Sequence, residues 1–190
     1  MIIAIVKHFN YLFWHKVYVF RAGVKRGVPL RQLLVHDWSK FLPSEFVPYT
    51  RRFFLGREDP ETQLQYELAF GLHCSRSPHH WEHWVVDGYP MKMPRQFALE
   101  MLADWDGAGM AKNGKNNTVA WYLANREHLM LHVQTRALIE NELFLKQECP
   151  HCKMIIGNNV SVLTNEDGCL PEDQRVALLT YIGELHVRHS

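Results

Sequence analysis

The period of the apolar residues constrains this chain most. From residue 2 to about residue 147 they recur at spacings of three and four, the repeat of helices that each bury one face. Alternating β-branched runs are nearly absent outside Asn159-Val160-Ser161-Val162-Leu163. In the first helix, about residues 2–22, Ile2, Ile5, Val6, Phe9, Leu12, Phe13 and Phe20 lie near one broad face. His8 and His15, seven apart, fall on almost one line of it. Pro29 opens a second helix with Leu30, Leu33 and Leu34, carrying His36 and Asp37 near its end. Ser44 is expected to cap a third helix, through Phe46 and Tyr49 to Phe53, with Pro48 in its first turn. Asp59-Pro60-Glu61 reads as cap, first-turn proline and first-turn acid, starting a helix over about 60–74 that delivers His73 near its C-terminus.

Ser77-Pro78 predicts a further short helix containing His79, His80 and Trp81, and Asp87-Gly88-Tyr89-Pro90 predicts a turn. Pro94 opens the next helix, with Phe97, Met101, Leu102 and Trp105 as its core face and Gly107 and Gly109 loosening its end. Residues 118–147 read as two more helical segments. The texture changes after Lys146, and a last helix is expected over about 171–187. The expected fold is an all-α bundle over residues 1–147 with a short C-terminal module over 148–190.

Charge narrows the partners. Lys plus Arg is 21 and Asp plus Glu is 20, a formal charge of +1, which argues against an extended nucleic-acid surface or a coat for anionic membranes. Met1 to Val6 is apolar but lacks a basic leader and is followed at once by Lys7 and His8; no apolar run approaches the ~18–20 residues that span a bilayer. The expected location is the cytoplasm. The unusual count is histidine, 12 against 11 glycines, although glycine is ordinarily among the commonest residues.

The histidines fall into an order: His15, the adjacent pair His36-Asp37, His73, the pair His79-His80, and then Asp104. Neutral imidazole and carboxylate suit divalent Zn, Fe, Mn or Co, and a carboxylate can bridge two ions. Helices that each point one ligand inward are how a bundle builds a metal site in its core. Adjacent residues on a helix point about 100° apart. His36 and Asp37 can therefore face one ion only at a helix end, which the Trp38-Ser39-Lys40 break and Pro43 supply; by the same argument one of His79 and His80 is expected not to be a ligand. His8 reads as a satisfied core histidine, and the six tryptophans as core or site wall.

This ordering resembles the HD superfamily of metal-dependent phosphohydrolases. His36-Asp37-Trp38-Ser39-Lys40 is similar to the HD-x-x-K run of its HD-GYP branch, His79-His80 with Asp87-Gly88-Tyr89-Pro90 to its HH…DGxGYP segment, and Ala103-Asp104-Trp105-Asp106 to its A-D helix. A closer resemblance is to an uncharacterised phage and bacterial family, a domain of unknown function. It is carried by His15-Lys16-Val17-Tyr18-Val19, His36 through Phe46, Ser77-Pro78-His79-His80-Trp81, Glu100 through Gly109, Trp121-Tyr122 and Thr135-Arg136. Ser77 stands where that family usually has Asn.

The resemblance to the HD superfamily implies that His15, His36, Asp37 and Asp104 hold one ion. Asp37 would bridge to a second ion, bound by His73 and by His79 or His80. Such a pair would activate water for attack on the phosphorus of an ester or anhydride, a small-molecule substrate expected to be a nucleotide. Lys40 and Arg76 are the expected phosphate contacts, with Arg51, Arg52 and Arg95 behind them, and Glu100 is expected to hydrogen-bond a ligand histidine. The alternatives are a di-iron oxygenase on the same ligand order and a non-catalytic nucleotide-binding regulator. Cys149-Pro150-His151-Cys152 is half of a zinc ribbon; with Cys169 it offers a structural zinc site, against the leading reading of reduced, unliganded cysteines.

Overall fold

The computed structural model describes residues 2–144, together with the backbone of residues 147–148 and 155–156. The chain divides into two compact units, Met1–Ile139 and Glu140–Ser190. The first is helical: α1 (Ile2–Arg26), α2 (Leu30–Val35), α3 (Pro43–Tyr49), α4 (Pro60–Arg76), α5 (Arg95–Asn113) and α6 (Thr118–Asn125), followed by the start of α7 (Val133–Phe144). Its one described strand pair, β1 (Val85–Val86) with β2 (Tyr89–Pro90), is a hairpin whose central residues Asp87 and Gly88 both have positive φ, 50° and 81°. That is the turn geometry that fits the twist of a two-residue hairpin, and Gly88 adopts it without a Cβ penalty. In the second unit, besides the end of α7, β3 (Gln147–Glu148) pairs antiparallel with β4 (Ile155–Ile156). The expected helix over about 171–187, the run 159–163 and Cys149, Cys152 and Cys169 lie outside the described residues.

Packing of α1 on α5 organises the first unit. Val19 of α1 and Leu99 and Ala103 of α5 are buried with Val28 and Leu33, forming a core that Phe20 and Ala22 flank. The two helices approach closely because Gly107 faces Val19: a Cβ there would stand 2.9 Å from the Val19 backbone nitrogen. Gly107 therefore tightens a crossing and does not loosen a helix end, and α5 continues to Asn113, where Gly114 in the left-handed region caps it. The core face of α5 also differs from expectation. Met101 and Leu102 are buried, but Phe97 and Trp105 are only half-buried, because Leu99 and Ala103 meet Val19 of α1 instead.

Asp106 pins three elements together. Its Oδ2 accepts from Arg26 Nη2 at 2.7 Å and Nε at 3.1 Å; its Oδ1 accepts from Thr118 Oγ1 at 2.6 Å and Asn116 Nδ2 at 2.9 Å. A buried carboxylate this fully bonded ties the end of α1 and the start of α6 to α5.

Helix ends follow local chemistry, with two corrections. Asp59 caps α4 as expected, accepting from the Thr62 N–H at 3.0 Å ahead of Pro60. Ser44 does not cap α3: Leu42 occupies the N-cap, because Pro43 fits the first helical position, where no N–H is needed. Pro48 consequently lies inside α3. Beyond Tyr49 the chain widens into a π turn over Thr50–Phe54, with the Leu55 N–H reaching the Thr50 carbonyl at 3.0 Å.

Candidate metal centre

Two long helices set the first donors. His15 is in the middle of α1 and Asp104 in the middle of α5, facing each other across the tight α1–α5 contact. His36 and Asp37 follow the end of α2. The helix stops at Val35, His36 is extended (φ −49°, ψ 129°), and Asp37 is left-handed (φ 56°, ψ 19°) before the 3₁₀ turn Trp38–Phe41. A positive φ is uncommon for a residue with a side chain; aspartate tolerates it better than most, and such backbone often marks a functional position. The break frees the two side chains from helical spacing and turns both inward. Lys16 secures this corner, donating to the Leu34 carbonyl at 3.3 Å and to the His36 carbonyl.

The remaining donors come from the last turn of α4 and from the segment after it. His73 is fully buried in α4. Ser77–His80 is a turn and not the expected helix: the His80 N–H bonds the Ser77 carbonyl at 3.0 Å, and His80 is extended (ψ 133°) ahead of the 3₁₀ turn Trp81–Trp84. Helical spacing therefore does not separate His79 from His80, and both imidazoles reach the centre.

The donors form two groups that share Asp37. In the first, His15 Nε2 lies 3.2 Å from Asp37 Oδ2 and 3.0 Å from Asp104 Oδ1; His36 Nε2 lies 3.5 and 3.3 Å from the same two atoms. In the second, Asp37 Oδ1 lies 3.1 Å from His73 Nε2 and 3.4 Å from His79 Nε2, and His73 Nε2 lies 3.1 Å from His80 Nε2. Donor atoms of His15, His36, Asp37 and Asp104 all fall within 4.8 Å of one another, as do those of Asp37, His73, His79 and His80. One carboxylate thus turns a different oxygen to each group, the arrangement of a bridging ligand.

The outer nitrogens settle how the inner ones point. His36 Nδ1 is 2.8 Å from Glu100 Oε1, and His73 Nδ1 is 2.9 Å from Glu45 Oε2. Ionised carboxylates only accept, so each Nδ1 carries a proton and donates, and whenever the ring is neutral its Nε2 lone pair faces Asp37. His15 Nε2, His36 Nε2, His79 Nε2, Asp37 Oδ1 and Asp104 Oδ1 are buried without a hydrogen-bond partner. Acceptors converging in a buried space repel one another and lack solvation unless a cation lies between them. The residues present therefore fit divalent cations.

The charges of the site respond to the same crowding. Burial opposes ionisation of Asp37, but positive charge on His36 and Lys40 and contacts from His15 and His73 hold its carboxyl well below the usual range. Asp104 is likewise buried and held low by His15 and His36. Burial alone would depress His36, yet with no cation between the donors Asp37, Asp104 and Glu100 push it up to about 10, a proton then taking the place at Nε2 that a cation would hold. His79 goes the other way, to about 4, through burial and the positive charge of His36.

Other expected residues fall as follows. Glu100 hydrogen-bonds His36 as anticipated and also accepts from Gln32. Lys40, an expected phosphate contact, places its Nζ 2.6 Å from Asp37 Oδ2 and so steadies that carboxylate. Arg76 places Nη1 3.1 Å from Glu45 Oε1. Arg51 and Arg52 bond Gln65 and Gln63 on α4. The residues that sequence reasoning missed are Glu45, fully buried behind His73, and Ser39, whose hydroxyl donates to Glu45 at 2.8 Å. The available signal was an acid at the start of a helix, within the same Ser39–Glu45 run that follows the His-Asp pair.

Comparison with known proteins adds a family. The Family of unknown function (DUF5662) matches residues 4–144, a span that contains every donor of both groups. The chain belongs to that family. Its description states no activity and no link to the HD superfamily. No curated protein and no solved structure matches the chain. No described helix is long and apolar enough to cross a membrane.

Proposed function

We propose that this member of the family is a metal-dependent phosphohydrolase of the HD type, cleaving a phosphate ester or anhydride of a nucleotide. The observation that carries the reading is Asp37, which offers Oδ2 to the His15, His36 and Asp104 group and Oδ1 to the His73, His79 and His80 group. Divalent cations of the Mn, Fe, Co or Zn kind would supply charge compensation at the phosphoryl oxygens and lower the pKa of a shared water. The chain's own residues do the rest. Glu100 and Glu45 hold His36 and His73 in the tautomer that points a lone pair inward. Lys40 fixes the Asp37 carboxylate, and Asp37 in turn fixes the spacing of the two groups. His15 and Asp104, carried on packed helices, keep the first group rigid, which preorganises the site before substrate arrives.

Elemental analysis of protein purified without chelator, paired with phosphate release from a panel of nucleotides and dinucleotides, tests this. Two metal equivalents and phosphate release are expected in the wild type, and neither in Asp37→Ala. Equal metal in both proteins overturns the site; no release from metal-loaded wild type replaces the enzyme with a nucleotide-binding regulator. One observation favours a second reading. Lys40 and Arg76, the cations expected on phosphate, are paired with Asp37 and Glu45, and a di-iron oxygenase would need no phosphate clamp. Iron-dependent oxygen consumption, lost under argon, identifies it.

A further inference from the structure

A cavity of about 330 Å³ opens beside the metal centre, with His80 and Asp104 in its wall. Three of the six tryptophans, Trp81, Trp105 and Trp121, also line it, whereas among the described residues no Lys or Arg does. Trp105 and Trp121 touch, ring centroids 4.8 Å apart at 52°, forming one continuous apolar wall. Asn125 and Glu82 add polar groups. Asn125 is held by a bond from its amide nitrogen to the Trp121 carbonyl at 2.8 Å.

We infer that this cavity binds a flat, uncharged heteroaromatic ring, the base of a nucleoside, so that the group attached to the ring is delivered to Asp104 and His80. Three features on this wall support that occupant. The volume is at the small end of ligand pockets and is enough for a nucleoside. With no Lys or Arg among the described lining residues, and only His80 and His128 able to take up positive charge, a phosphate chain within the cavity is disfavoured, which places phosphate toward the metal centre and the ring away from it. Indole faces provide stacking that tolerates any base, and a fixed side-chain amide beside them can hydrogen-bond a base edge. The inference deepens the proposed function and rests on it for the position of the phosphate; ring binding itself needs no metal.

Calorimetric titration of the purified full-length protein with adenosine, guanosine, cytidine and uridine tests it, with ribose and choline as controls that lack an aromatic ring. At least one nucleoside is expected to bind and both controls to fail. Trp121→Ala, at a half-exposed position, is expected to weaken that binding about 5- to 100-fold, and Trp121→Phe to restore most of it. Asp37→Ala should keep nucleoside binding while losing metal. Failure of every nucleoside at millimolar concentration, equal binding by Trp121→Ala, or binding of choline instead overturns the pocket assignment. If the wild type nevertheless retains two metals and releases phosphate, the proposed function survives that failure. If nucleosides bind through Trp121 while no metal is retained, the pocket stands and the metal centre falls.

Discussion

His8 and His15 are seven residues apart on the same face of α1, and both are almost wholly buried, yet their surroundings differ in kind. The His8 ring is stacked between Phe46 and Phe54, at centroid distances of 4.3 and 4.6 Å. Its Nδ1 is 2.7 Å from Thr50 Oγ1, whose own hydroxyl hydrogen goes to the Phe46 carbonyl, so His8 donates and Thr50 accepts. Two turns further on, His15 Nε2 faces Asp37 and Asp104 without a hydrogen-bond partner. Burial pushes His8 down to about 4, aided by the charge of Lys40. The same burial acts on His15, but the Asp104 and Asp37 carboxylates outweigh it and raise that group. Burial does not make a histidine a ligand. A ring nitrogen left unpaired opposite a carboxylate that other ring nitrogens also face is what marks a candidate.

Exchanging the two positions gives the largest contrast. His15→Ala is expected to lose one metal equivalent and at least a thousandfold in phosphate release, whereas His8→Phe should retain both ions by elemental analysis. Metal loss in the His8 variant alone would reverse the comparison.

Next comes pH. The neutral form of His8 is the one that fits between two phenylalanines, so protons bind the unfolded chain, near 6.5, more readily than the folded one, near 4. The stabilisation is complete above pH 6.5 and is lost as pH falls toward 4, about 3 kcal/mol in all. Urea midpoints measured across that window should fall for the wild type, with a shallower fall for His8→Phe; parallel curves would show that His8 does not titrate as its burial requires.

The smallest effect sharpens the division within the metal centre. Glu45→Gln should weaken metal affinity about 10- to 100-fold at the His73, His79 and His80 group, whereas Glu100→Gln should act mostly on the His15, His36 and Asp104 group through His36 at 2.8 Å and less on the other through His79 Nδ1 at 3.4 Å. Competition with a chelator resolves the two equivalents. If each variant weakened both equivalents alike, the two groups would not be separable through their outer carboxylates.

Much of this was legible in the residue pattern. The three-and-four spacing announced helices, Asp59-Pro60 announced the start of α4, and the order of His15, His36-Asp37, His73 and Asp104 announced convergence, because each feature is local or depends only on residue type. Ser77-Pro78 reads as a helix start although Ser77–His80 is a turn, because Ser-Pro begins both, and only the packed neighbours of His79 and His80 choose between them. Glu45 was passed over for a related reason. An acid in a first helical turn is ordinary, and nothing in its own neighbourhood says that His73, 28 residues away, will lie against it.

Residue order therefore determined which side chains could serve as donors and that helices would carry them. Tertiary structure decided which oxygen of Asp37 meets which group, which histidine is stacked away between aromatic rings, and which cations are taken up by buried acids. Those outcomes depend on distances across elements, and a chain acquires such distances only when α1, α4 and α5 pack.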